Sequence, residues 1–402
     1  MATYKEQNKQ NVPHLRFPEF EGEWEKCKLG DIATLTKGSG ISKDQRSATG
    51  TPCILYGELY TTYKSEVIDY VVSKTDISDK NLVRSCANDI IIPSSGETAI
   101  DISTARCVLS PDVLLGGDLN IIRLKDGDGR FFSYQLNGVR KHDIAKIAQG
   151  VSVVHLYGES IKGLTVSFPS NKEQQKISTL LSLIDERIAT QSKLIEKLES
   201  LIKGINQNVF TDDGFNYMLK ELSEIRSGYS GNQLTSKNGL KVSRIETISG
   251  HKVNIERVGY VAPFASSENY KLQIGDILFS NINSVEYIGN TAFIEKDYGL
   301  YHGMNLLRLM PNKNIVIPLY LYLLLNTNKM QNHFKTICNK AVSQASINQT
   351  ELGKTVVKIP SIKAQKQICE LYQSLYNKLE TENNAISLLQ KQKQYLLRQM
   401  FI

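Results

Sequence analysis

Between residues 171 and 209 the apolar positions recur in alternating steps of four and three. They are Ile177, Leu181, Ile184, Ile188, Ile195, Leu198, Ile202, Ile205 and Val209, with Gln191 in one polar slot. This alternation is the a/d seam of a coiled coil, whose period stays near 3.5 rather than drifting to 3.6. At an offset of 191 the seam returns as Ile368, Tyr372, Leu375, Leu379, Ile386, Leu389, Leu396 and Met400. Glu382 fills the polar slot of the second copy, and Lys393 interrupts it. A polar seam residue fixes register at some cost in stability. Two long helices are expected, paired along their seams in preference to each lying only on its own neighbouring globule.

The remaining chain carries short β-branched runs bounded by Gly, Asn, Asp and Ser, the pattern of strands. Strands are expected at 89–92, 120–124, 165–168, 292–294 and 355–359, with one helical stretch in each half, 131–148 and 318–338. Pro318 suits the first position of its helix. The halves share a frame: Asp89-Ile-Ile-Ile answers Asp276-Ile-Leu-Phe, and Asn120-Ile-Ile-Arg-Leu answers Asn305-Leu-Leu-Arg-Leu. Leu29-Gly-Asp-Ile is aligned with Leu222-Ser-Glu-Ile. The fold class is therefore α+β, an internal repeat with this order: a flexible N-terminal segment (1–16), a first globule (17–170), a long helix (171–210), a second globule (211–361) and a second long helix (362–402). For the seams to pair, the second helix must run back antiparallel to the first, giving a single-chain pseudo-dimer. Forty residues at 1.5 Å each make a rod of about 60 Å. Globules held a few tens of ångströms apart suit successive major grooves of B-DNA, which recur every ~34–36 Å.

At 402 residues the chain exceeds what one core usually spans, consistent with two globules. With 41% hydrophobic and 22% charged residues it reads as an ordinary globular protein. A formal charge of +7 permits a polyanionic partner without demanding one. The six cysteines, at 27, 53, 86, 107, 338 and 369, include no C-x-x-C pair, which suits reduced, mostly buried thiols and argues against zinc. No apolar signal core opens the chain, and the run 315–325 contains Pro318 and is too short to span a bilayer. A cytoplasmic location with no membrane partner is expected.

Enzymatic signatures are missing. Gly353-Lys354-Thr355 lacks the earlier glycine of a phosphate-binding loop, since position 348 is Asn348, and no H-E-x-x-H, G-x-S-x-G or Asn-Pro-Pro-aromatic tetrapeptide occurs. No catalytic or metal-binding residues are assigned. Polar and basic loops stand instead at matching places in each half. In the first they offer Lys37, Ser39, Lys43 and Arg46, then Ser94, Ser95 and Glu97, then His155. In the second they offer Tyr229, Ser230, Asn232 and Gln233, then Asn281 and Asn283, then Ser343 and Gln344. Arg and Lys suit guanine edges and phosphates, Asn and Gln suit adenine, and hydroxyls serve either. The loops vary between halves while strands and seams do not, as two different reading surfaces on one scaffold would require.

The chain resembles the specificity subunits of type I restriction–modification enzymes. The likeness rests on residues 12–24 followed by Lys28-Leu-Gly-Asp-Ile32, on the Asp89-Ile-Ile-Ile-Pro-Ser-Ser-Gly stretch, on Pro169 followed by Glu173-Gln-Gln-Lys-Ile177, and on the duplication of domain plus helix. The second half keeps little of the opening motif, and Val153-Val154 stands where Ser343-Gln344 carries a polar pair. The resemblance implies a non-catalytic subunit whose two target recognition domains each read half of a split, asymmetric sequence in double-stranded DNA, with the helices as the ruler. It also implies two methyltransferase subunits acting at adenine N6 and two restriction–translocase subunits. S-adenosylmethionine, ATP and Mg would sit on those partners and none on this chain. Weighed against this are a coiled-coil adaptor that binds only protein and a single-chain restriction–methylation enzyme.

Overall fold

The computed structural model describes residues 11–77, 81–210, 213–341 and 344–402. It divides into two compact units, one running up to Lys193 together with Asn383–Ile402, the other Leu194–Glu382. The division cuts both long helices, Asn171–Asn208 and Ile362–Gln399, so each unit holds part of each.

In the first unit the main sheet has the strand order Ala33–Lys37, Leu119–Leu124, Asp89–Pro93, Arg106–Val108, Val67–Ile68. All pairings are antiparallel except the last. A separate ribbon joins Glu25–Lys28 to Thr165–Phe168. In the second unit the order is Ser223–Ser227, Leu306–Pro311, Ile277–Ser280, Thr291–Phe293, antiparallel throughout, and Phe215–Met218 pairs with Val356–Ile359. The first four strands of each sheet are connected alike, so the repeat is one of topology as well as sequence.

Two expectations are corrected. Each single helical stretch is two helices, Gly129–Asn137 with Lys141–Ile147, and Pro318–Leu325 with Asn328–Ile337. Gly138 ends the earlier pair's first helix, and the Thr327 hydroxyl starts the later pair's second by accepting from the Met330 N–H. Leu29–Ile32 also corresponds to Leu219–Leu222, three residues earlier than the sequence alignment placed it. Both are one-turn helices whose third residue caps the strand before, Asp31 accepting from Lys28 N–H at 3.1 Å and Glu221 from Met218 N–H at 2.6 Å. A four-residue L-x-x-I pattern is too short to fix its own register.

The long helices enter their units in the same way. Gln174 and Gln365, 191 residues apart, are both buried. Gln174 donates to the Pro169 carbonyl at 2.8 Å and accepts from Asp128 N–H at 3.0 Å. Gln365 donates to the Pro360 carbonyl at 2.9 Å and accepts from Ile317 N–H at 2.8 Å. Each amide satisfies backbone groups that burial would otherwise leave unpaired.

Helix pairing occurs inside each unit and is merged with the globular core. In the first, Ile177, Leu181 and Ile184 pack with Trp24, Phe131 and Tyr134, and with Leu396, Met400 and Phe401 of the second helix. In the second, Ile202 and Ile205 pack with Tyr372, Leu375 and Leu379, while Ile368 and Cys369 join the globule's core. The start of one helix thus meets the end of the other in both units, an antiparallel arrangement. Ile188, Ile195, Leu198, Ile386 and Leu389 are half-buried.

Lys393, which breaks the apolar seam, is only 13% exposed and binds Asp185 at 2.5 Å and Glu66, with the Tyr134 ring beneath it. Asp185 also accepts from the Tyr134 hydroxyl at 2.8 Å and from Ser65 at 3.0 Å. The position 191 residues earlier is Ile202, in an apolar cluster. Of the segment 1–16, residues 11–16 are described, and they are tied down: Leu15 N–H donates to the Gln399 carbonyl at 2.8 Å, and Arg16 pairs with Glu173 at 2.8 Å.

Among the described residues no helix is long and apolar enough to cross a membrane, and no group of three or more His, Cys, Asp or Glu is placed to hold a metal ion. Cys53, Cys107, Cys338 and Cys369 are buried, Cys27 is half-buried and Cys86 is exposed.

Candidate nucleic-acid interfaces

The three loops of the first unit meet at the ends of its sheet. Gly38 brings the 36–46 loop against the 115–118 loop so closely that a Cβ there would lie 2.0 Å from the Gly116 carbonyl oxygen. Ser94 N–H then donates to the Asp118 carbonyl at 2.7 Å, and the Ser94 carbonyl accepts from Leu156 N–H at 2.9 Å. Ser95–Gly96 pairs with Val154–His155 in a short antiparallel ladder. The resulting face exposes Lys37, Lys43, Arg46, Glu97 and His155, and leaves Ser95 half-exposed. The His155 ring stacks on Tyr157 with centroids 6.3 Å apart.

Two of the candidate serines are engaged inside the scaffold. Ser94 is buried, and its hydroxyl lies 3.5 Å from Asp118 Oδ1. The Ser39 hydroxyl accepts from Val83 N–H at 2.7 Å, fixing the neighbouring strand connection.

The second unit repeats the construction with different side chains. A Cβ at Gly228 would lie 1.8 Å from the Gly303 carbonyl oxygen, and Tyr229 N–H donates to the His302 carbonyl at 2.9 Å. Ile282–Asn283 pairs with Ala345–Ser346, which sets Asn283 opposite Ala345, next in the chain to Gln344. Asn283 donates to the Ser280 hydroxyl at 3.1 Å, while the Asn281 carbonyl accepts from Ile347 N–H at 2.9 Å. Ser230, Asn232 and Gln344 are exposed and Gln233 is half-buried. Ser343 lies outside the described residues.

Tyr229 lies face to face with Phe264, centroids 3.9 Å apart at 6°, with Tyr270 edge-on at 5.6 Å. Phe264 and Tyr270 escaped the sequence reading, because a half-exposed aromatic in a loop shows no period until its partner is located. In the first unit Ser39 holds the position of Tyr229, judged by the equivalent bridges Ser39 to Gly116 and Tyr229 to Gly303. One face is thus polar and cationic at this place, the other aromatic.

At the start of each central strand, the end away from the loop face, lies a repeated ion pair. Asp89 receives Arg123, and Asp276 receives Arg308 at 2.6 Å. Burial raises the Asp276 carboxyl above its ordinary range, against the opposing pull of the Gln273 N–H and Arg308. His302, 1% exposed, is pushed down to about 4 by burial, with Arg308 adding to the shift. Its Nε2 carries the proton, because its partner at 2.9 Å, the Leu306 carbonyl, can only accept.

Two globules of one topology, each presenting a loop face of its own and each built around paired long helices, define a duplicated recognition scaffold. The family described as "Type I restriction modification DNA specificity domain" matches residues 21–200 and again 214–391, and the chain belongs to it. The chain is 44% identical over 187 residues to the putative type I restriction enzyme MjaX specificity subunit of Methanocaldococcus jannaschii, a match covering 46% of this chain and 44% of that relative. It is 24% identical over 433 aligned positions to the type I restriction enzyme MjaVIII specificity subunit of the same organism, covering 99% and 96%. In fold it is similar to the type I restriction–modification S subunit from M. genitalium, with a TM-score of 0.62 at 19% identity over 97% and 99% of the two chains.

Proposed function

We propose that the chain reads a bipartite, asymmetric DNA sequence, one half-site per globule, and carries no catalytic group of its own. The supporting observation is the pairing of a repeated frame with unlike faces: Lys43, Arg46 and His155 on one, Tyr229, Asn232 and Gln344 on the other. Exposed cations serve phosphates and guanine edges, whereas amides and aromatic rings serve adenine edges and thymine methyls. Two 38-residue helices, paired antiparallel within each unit, act as the spacer that sets the gap between half-sites.

On this reading two methyltransferase subunits dock on the chain and modify adenine N6, the target base being flipped into their pocket. Two restriction–translocase subunits complete the assembly, and S-adenosylmethionine, ATP and Mg belong to those partners. Adenine-methylation mapping of a host carrying this chain with its methyltransferase tests the proposal. Exchange of residues 17–170 for those of another family member should change one half-site and leave the other and the gap intact. A motif indifferent to the exchange would leave a protein-only adaptor.

A further inference from the structure

The inference deepens the DNA-reading proposal and rests on it. In the first unit, residues 40–46, the turn 55–58 and Gly117-Asp118 enclose a cleft of about 820 Å³. Its buried side holds Glu58, 6% exposed, although glutamate is seldom buried without a partner. Glu58 Oε2 accepts from Leu55 N–H at 2.9 Å, and Oε1 accepts from the Ser73 hydroxyl and faces Arg46 Nη1 at 3.7 Å. Arg46 Nε donates to the Lys43 carbonyl at 3.3 Å. The bond to Lys43 and the facing Glu58 carboxylate orient the guanidinium, while 41% of its side chain stays exposed in the cleft.

A cation that only neutralises phosphate needs no such orientation; a point charge serves. A guanine edge is different, because O6 and N7 accept from a planar fork in one orientation. We propose that Arg46 reads a guanine edge at one position of the first half-site, and that Glu58 is the positioning residue that holds its fork. The sequence singled out Arg46 but not Glu58, whose role appears only once 55–58 folds under the 40–46 loop.

The test is methylation mapping with the full chain in its methyltransferase complex, together with competition binding of site variants. Arg46→Ala and Arg46→Lys should both lose guanine preference at one position of the first half-site, by roughly ten- to a hundredfold, with the second half-site unchanged. Glu58→Gln, which removes the charge facing Arg46, should relax the same position to a smaller extent. Arg46→Lys keeping full discrimination, with Arg46→Ala weakening all sequences alike, would mark a phosphate contact and overturn the inference. Glu58→Gln with wild-type base preference would overturn the positioning role, and should that variant fail to fold, Arg46→Lys still decides between edge and phosphate. A motif that ignores exchange of residues 17–170 sinks the parent reading instead; a first half-site that follows the exchange but ignores Arg46 sinks only this one.

Discussion

Arg123 grips Asp89 with two parallel bonds, Nε to Oδ1 at 2.8 Å and Nη2 to Oδ2 at 2.7 Å. Asp89 in turn accepts from Cys86 N–H at 2.7 Å, three residues back. The second globule repeats the device: Asp276 binds Arg308 and accepts from Gln273 N–H at 2.6 Å. Each pair ties the turn before a central strand to its neighbour in the sheet. The environments differ, since the Arg123 side chain is 44% exposed and that of Arg308 6%.

That difference is confined to the cations, because both carboxylates are buried, with Asp89 1% and Asp276 7% exposed in the side chain. Removing either arginine strands a buried charge, at about 3–5 kcal/mol. Arg123→Met and Arg308→Met should therefore each destabilise their own unit by that order. Hydrogen exchange, read separately for the central strands of each unit, measures both, and a loss confined to one unit would contradict the account.

His302 makes the second unit sensitive to acid. Its folded pKa of about 4 lies below the ordinary 6.5, so the unfolded chain binds the proton first as pH falls. The stability due to this group is fully present above pH 6.5 and is lost as pH falls towards 4, to the extent of about 3 kcal/mol. His302→Gln, which keeps a donor for the Leu306 carbonyl, should flatten the stability–pH curve in that window. A curve unchanged in slope would show that the ring does not titrate as its burial implies.

Lys393 should behave as a buried charge and not as a flaw in the seam. Lys393→Met leaves Glu66 and Asp185 without their cation and is expected to destabilise the first unit by about 3–5 kcal/mol. Combining it with Glu66→Gln and Asp185→Asn should recover most of that loss. Thermal unfolding of the single and triple variants provides the comparison, and a triple variant no better than the single would show that the network is not the cause.

Deleting one helical turn from each long helix, between residues 188 and 195 and between 379 and 386, should shorten the gap in the recognised site and leave both half-sites unaltered. These stretches lie away from the fully buried helix ends, so the globules keep their cores. Methylation mapping reads the gap directly, and an unchanged spacing would remove the helices from the ruler's role.

The sequence by itself determined what periodicity and local chemistry encode. The 3.5-residue seam marked two long helices, the β-branched runs marked the central strands, and repeated Asp and Arg positions marked one frame written twice. Its reach ended where an interaction depends on residues distant along the chain. Gly138 and Thr327 break apolar runs that look continuous, and the short Leu29 motif took its register only from the strands around it. Glu58 beneath Arg46, Phe264 against Tyr229, and Lys393 between Glu66 and Asp185 were decided by tertiary structure alone. Folding brings each partner in from a distant loop or helix, and no local pattern records a neighbour that far away.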